Sequence, residues 1–135
     1  MTRAPVLLDT NVASFVYGKR PQVALYADDL RGRRGLLAFQ TVAEMLCGAD
    51  AKGWGAKKRR ELAEFLENYK IVHTTREMLS TWGHIKAATR RAGVVIETAD
   101  LWIAATAITL DTTLVAHDAV FQLVPGLRLI THVDS

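Results

Sequence analysis

Short apolar runs alternate along this chain with longer stretches in which apolar residues recur every three or four positions. Pro5 to Leu8 reads as a strand, followed by a helical pattern with Val12, Phe15 and Val16 on one side, stopped at Gly18. Pro21 opens a second helix through Val23, Leu25, Tyr26 and Leu30, closing near Gly32. Gly35 to Phe39 is the next strand. A helix then starts at Thr41, where Glu44 three residues on has the spacing of a capping box. Gly53-Trp54-Gly55 breaks it, and Ala56 to Tyr69 is helical, with Leu62, Phe65, Leu66 and Tyr69 apolar. Ile71 to His73 is a short strand. From Thr75 to Arg91 the positions Met78, Leu79, Trp82, Ile85 and Ala88 form one helical face, ended by Gly93.

Val94 to Ile96 is extended, and Asp100 opens a nearly all-apolar helix from Leu101 to Leu110. Thr113 to Ala116 is a strand, Ala119 to Leu123 a helical turn or two, and Leu127 to Ile130 a last strand. Strands alternating with helices require crossover connections, and so predict an α/β protein whose sheet is covered by helices on both faces. An all-α bundle fits less well, because the runs at 113–116 and 127–130 are too short and too sharply punctuated for helices.

The chain has 135 residues, half of them hydrophobic and 23% charged. That balance excludes a disordered or collagen-like chain, and the length suits a single domain over residues 1–135 with its own core. The one cysteine, Cys47, excludes an internal disulfide framework and paired-thiolate zinc patterns; it reads as a small buried apolar residue. The start has no secretory pattern, and the longest apolar-rich run, 101–110, is far short of a membrane span. A cytoplasmic protein without membrane contact is expected. The net charge of +3 permits a polyanionic partner without demanding one.

Four acids occupy informative places. Asp9 and Asp118 follow strands, Asp100 heads the apolar helix, and Glu44 lies one turn into the helix after the second strand. In open parallel sheets, ligand sites form beyond the carboxyl ends of the strands. Carboxylates converging there repel one another unless a cation neutralises them, and Mg²⁺ or Mn²⁺ takes oxygen ligands of this kind. Each acid also has a plainer reading. Asp9, Asp100 and Asp118 are natural helix caps, and a glutamate on a helix usually faces solvent. Only their joint placement at one sheet edge favours a metal site.

Leu7-Leu8-Asp9-Thr10-Asn11, Thr41-Val42-Ala43-Glu44-Met45-Leu46-Cys47-Gly48-Ala49, Ala99-Asp100-Leu101-Trp102-Ile103-Ala104-Ala105-Thr106-Ala107 and Thr113-Leu114-Val115-Ala116-His117-Asp118 resemble, in order, the successive motifs of PIN domains. The likeness is greatest to the VapC toxins of toxin–antitoxin pairs and covers essentially the whole chain. It implies a three-layer α/β/α sandwich around a short, mainly parallel sheet, and a Mg²⁺- or Mn²⁺-dependent endoribonuclease. Asp9 and Asp100 would be the principal metal ligands, with Glu44 and Asp118 completing the acidic pocket. Thr10 or Asn11 would hydrogen-bond a ligated water or a carboxylate. His117, by its place beside Asp118 and not by the resemblance, is a candidate substrate contact. The resemblance further implies an RNA substrate, a VapB-type antitoxin that wraps the toxin and inserts a side chain into the acidic cleft, and a homodimer. The chain departs from the family at Ala116, where a hydroxyl is frequent, and at Asp118, where Asn is frequent. Glu97 faces the pocket only if its helix begins early.

Two rivals accompany this reading: a housekeeping RNA-processing nuclease of the same family, and a PIN-like module that binds RNA or protein without cutting. The four acids argue against the second. Arg31, Arg33 and Arg34, Lys57 to Arg60, and Arg90-Arg91 are candidate RNA contacts, though charge runs on helices are commonly solvated faces. Trp54 between two glycines is a candidate base-stacking residue, whereas Trp82 and Trp102 read as core. His73, His84 and His132 show no ligand spacing. The helices over 10–30 and 41–69 carry apolar surface for the antitoxin, with Phe15 and Tyr26 as expected contacts.

Overall fold

The computed structural model describes residues 3–133. Five strands, β1 (Val6–Leu8), β2 (Gly35–Ala38), β3 (Lys70–Val72), β4 (Thr113–Val115) and β5 (Leu129–Ile130), form one sheet in the order β3-β2-β1-β4-β5. All four pairings are parallel. The helices are α1 (Thr10–Tyr17), α2 (Val23–Leu30), α3 (Phe39–Ala51), α4 (Ala56–Leu66), α5 (Arg76–Arg91) and α6 (Thr98–Thr109), with a 3₁₀ turn at Ala119–Leu123. None of the described helices is long and apolar enough to cross a membrane.

The central strands β1, β2 and β4 are buried on both faces, so they read as continuous apolar runs and their alternation appears only in what each residue touches. Leu7, Leu36 and Leu114 pack with Met78 and Ile85 of α5 and with Leu101, Ile103 and Ala104 of α6. Val6, Leu8, Leu37 and Val115 turn the other way, against Val12 of α1, Tyr26 of α2, Ala49 of α3 and Leu62 of α4. The result is the expected three-layer sandwich. Buried residues over most of its circumference leave α6 with little amphipathic contrast, as a helix between sheet and α5 requires.

Several boundaries depart from the expectations. Helix α3 begins at Phe39, so Thr41 lies inside it and no capping box forms. Instead the buried Thr41 hydroxyl bonds that of Thr10 at 3.1 Å, joining α3 to α1. Helix α4 ends at Leu66 and leaves Tyr69 in the following turn. Residues 94–96 pair with no strand. Helix α6 starts at Thr98, which puts Asp100 in its first turn rather than at its cap. Cys47 is exposed, because it lies beside the exposed Leu46 on the outer face of α3. Trp82 and Trp102 are half-buried and stack at 5.4 Å against the edge of the α5–α6 core.

β1 is the centre of the chain's winding. The strands after it first extend to one side (β2, β3), and later ones pair on the other (β4, β5). The crevice beyond the carboxyl ends of β1 and β4 is therefore the topological switch point, where open α/β sheets bind ligands.

Candidate active site

Asp9 follows β1 directly and is 3% exposed. The plainer reading is correct as far as it goes: Asp9 caps α1, its Oδ1 accepting from Val12 N–H at 2.8 Å. Its Oδ2 accepts from His117 N–H at 3.2 Å, so the same carboxylate ties β1 to the loop after β4. Asp118 caps the 3₁₀ turn through Val120 N–H at 3.0 Å. Glu44 projects from α3 and accepts from Gln40, one turn earlier, at 3.2 Å. Helix α6 runs antiparallel to β4, so its N-terminal turn, with Asp100, comes back to the same sheet edge.

The electrostatics bring these acids together. Burial is the main cause that pushes Asp9 up to about 7, with Asp118 and Asp100 adding repulsion against its two backbone hydrogen bonds. Burial, then Asp118, Glu44 and Glu97, push Asp100 up to about 6. Four elements thus deliver carboxylates whose charges, with burial, raise the proton affinity of Asp9 and Asp100, as like charges sharing a site do. Glu97 is exposed, yet the early start of α6 brings its charge to bear on Asp100.

Among the described residues, no group of three or more Asp, Glu, His or Cys side chains is gathered tightly enough to hold a metal ion as it stands. The donor set nevertheless fits a hard divalent cation. It is all oxygen, and its two shifted members carry charge that burial and neighbouring carboxylates oppose and that a cation would offset.

The other expected site residues bond within the protein. Asn11 Nδ2 donates to His117 O at 3.0 Å, and Thr10 meets Thr41. His117 lies between two aromatic rings, Phe15 and Tyr26, both edge-on. Its Nδ1 is 2.6 Å from the Tyr26 hydroxyl, which also meets Ala116 O at 3.1 Å and accepts from His132 N–H at 3.1 Å. A hydroxyl has one proton and Ala116 O only accepts. All partners are satisfied when Tyr26 donates to Ala116 O and His117 Nδ1–H donates to Tyr26. Tyr26, expected on a groove for a partner, is fully buried and cannot serve there. The clue was a tyrosine on an apolar helix face, since a buried phenol requires a polar partner. Tyr26→Phe is expected to cost about 1–3 kcal/mol in urea denaturation, because buried groups lose their partner. An unchanged midpoint would show that these groups find other partners.

The candidate RNA contacts are partly occupied. Arg31 pairs with Asp28 at 2.7 Å, and Arg59 with Asp50 at 2.6 Å. Arg33 donates to Ala4 O.

The PIN domain family matches residues 6–127, and the chain belongs to it. Ribonuclease VapC1 of Haemophilus influenzae is 25% identical over 125 residues, covering 90% of this chain and 93% of that protein. Ribonuclease VapC2 of the same species is 28% identical over 123 residues, with the same coverage of both. Among solved structures, VapBC2 from Rickettsia felis, bound to a promoter DNA fragment, superposes with a TM-score of 0.82 at 21% identity. That match covers 96% of this chain and 98% of the other. FitAcB from Neisseria gonorrhoeae gives a TM-score of 0.75 at 28% identity, over 93% and 96% of the two chains.

Proposed function

We propose that this chain is a metal-dependent endoribonuclease and the toxin of a VapBC-type toxin–antitoxin pair. The observation that carries the reading is the convergence of Asp9, Glu44, Asp100 and Asp118 at the switch point, with Asp9 and Asp100 destabilised in their ionised forms. A purely structural cluster of helix caps has no use for a buried carboxylate repelled by its neighbours. The full-length likeness to proteins called ribonucleases, and to a VapBC complex, supports the same reading.

In this proposal Asp9 and Asp100 hold Mg²⁺ or Mn²⁺, with Glu44 and Asp118 completing the pocket directly or through water. A bound divalent cation supplies Lewis-acid polarisation of a phosphodiester and a lowered pKa for water. The chain's own residues supply position. Two backbone N–H groups hold the Asp9 carboxylate in one orientation. Asn11 and Tyr26 clamp the 116–118 loop through His117 O, Ala116 O and His117 Nδ1, fixing Asp118 relative to Asp9. Gln40 steadies Glu44. The partner is a short VapB-type antitoxin, for which an arginine side chain would be a suitable cation to insert among the acids.

Incubating the purified chain with total RNA and tRNA is expected to produce Mg²⁺- or Mn²⁺-dependent cuts that leave 5′-phosphate and 3′-hydroxyl ends. EDTA abolishes them. No cleavage, or cleavage indifferent to EDTA, would overturn the proposal.

A further inference from the structure

A cleft of about 670 Å³ runs from the acidic site, where Thr10 and Glu44 form one end, along the α1–α3 seam to Trp54 and Lys52. Its size lies within the ~300–1,000 Å³ usual for ligand clefts. Tyr17 and Arg20 line the α1 side. Among the described residues, the only acid on its walls is Glu44, at the end belonging to the catalytic pocket; the two other charged residues are Arg20 and Lys52.

Trp54 is held in place as a platform. Gly53 takes φ +65°, which ends α3 and lets the chain turn, and Trp54 N–H donates to Ala49 O at 3.1 Å. Arg59 Nε donates to the Trp54 carbonyl at 2.7 Å, while its other nitrogen pairs with Asp50. Tyr17 packs beside the indole, with ring centroids 6.1 Å apart. The ammonium groups of Lys52 and Lys58 rest over the ring, 5.4 Å and 5.7 Å from its centroid. Neither lysine makes an ion pair among the described residues. A half-buried indole, seated on the core and capped by two lysine ammonium groups, beside the acidic pocket, suits a nucleotide. A base takes the ring, and the displaced ammonium moves to its phosphate.

We infer that this cleft is a subsite for unpaired RNA flanking the scissile phosphate, with Trp54 stacking a base and Lys52 and Arg20 holding the adjoining phosphates. The inference rests on the nuclease reading. It makes the enzyme selective for single-stranded segments, since a base stacked in a duplex cannot reach the indole.

The test is binding of a fluorescein-labelled unpaired oligoribonucleotide to the full chain carrying Asp100→Asn, so that it is not cut. Adding Trp54→Ala weakens binding roughly tenfold, and Trp54→Phe restores much of it. Adding Lys52→Ala, an exposed change with little bearing on folding, lowers the slope of log Kd against log salt by about 0.7, as loss of one phosphate contact to a single strand requires. In the otherwise wild-type chain, these substitutions raise KM and leave kcat nearly unchanged. Binding and KM within twofold of the parent, with an unchanged salt slope, would overturn the subsite and leave the cleft to a protein partner. If the unsubstituted chain neither binds nor cuts any RNA, the nuclease reading itself fails and the subsite fails with it.

Discussion

Asp100→Asn is expected to reduce RNA cleavage by roughly 10²–10³-fold or more, the scale on which one preorganised electrostatic group contributes to catalysis. The same substitution is expected to make the metal-free protein more stable at neutral pH. Asp100 is pushed up to about 6 by burial and by Asp118, Glu44 and Glu97, so at pH 7 its ionised form costs the fold free energy. Asparagine keeps the shape and removes the charge. After discounting for solvent screening of a partly exposed group, the gain is on the order of 1 kcal/mol. Urea denaturation in EDTA measures it, and the gain shrinks towards zero as pH falls to about 4. A mutant that keeps its activity removes Asp100 from the site. One that loses both activity and stability identifies it as a structural residue.

The second large effect is a stability that falls with rising pH, opposite to the usual acid denaturation. Asp9 ordinarily titrates near 3.8 but is pushed up to about 7 in the fold. Between those values the folded protein keeps a proton that the unfolded chain has released. The contribution is therefore fully present below about pH 4 and is lost as pH rises through about 7. Three pKa units correspond to about 4 kcal/mol, most of it from the burial of Asp9 itself. Denaturation across this range in EDTA, for the wild type and for Asp9→Asn, isolates the effect as the difference between the two profiles. Millimolar Mg²⁺ flattens the wild-type slope, since a cation favours the ionised carboxylates. Stability that rises with pH in the wild type relative to Asp9→Asn, or a slope indifferent to Mg²⁺, would show that these acids neither repel one another nor meet a cation.

The two effects have one cause. A pocket of acids built for a cation must resist ionisation without it, so on the proposed function the chain gives up stability at its own site. That sacrifice is possible because the sheet beneath is closely packed, with Leu7, Leu8, Leu37, Leu114 and Val115 all at 1% exposure or less.

Much of this was written in local patterns. The strands and helices follow from apolar spacing and from glycine punctuation. An acid directly after a strand, as at Asp9, or heading an apolar helix, as near Asp100, can be placed at a sheet edge before any coordinates exist. The alternation of strands and helices dictates crossovers, which carry the following helix N-termini to that same edge. The order of residues along the chain therefore determined the fold class and marked the four acids of the proposed site.

What the sequence left open depended on groups far apart in the chain. Thr41 and Glu44 have the spacing of a cap, yet packing of Phe39 beside Trp102 draws α3 two residues earlier, and Thr41 bonds Thr10 instead. Cys47 has an apolar composition around it but lies on the outer face of its helix. Tyr26 is tied to Ala116, His117 and His132, residues 90 to 106 positions away, and no local spacing encodes such a contact. The proton affinities of Asp9 and Asp100 likewise exist only once burial and neighbouring charges are assembled. Local preferences act over a few residues, whereas dielectric environment, buried hydrogen bonding and the walls of a cleft are properties of three-dimensional proximity.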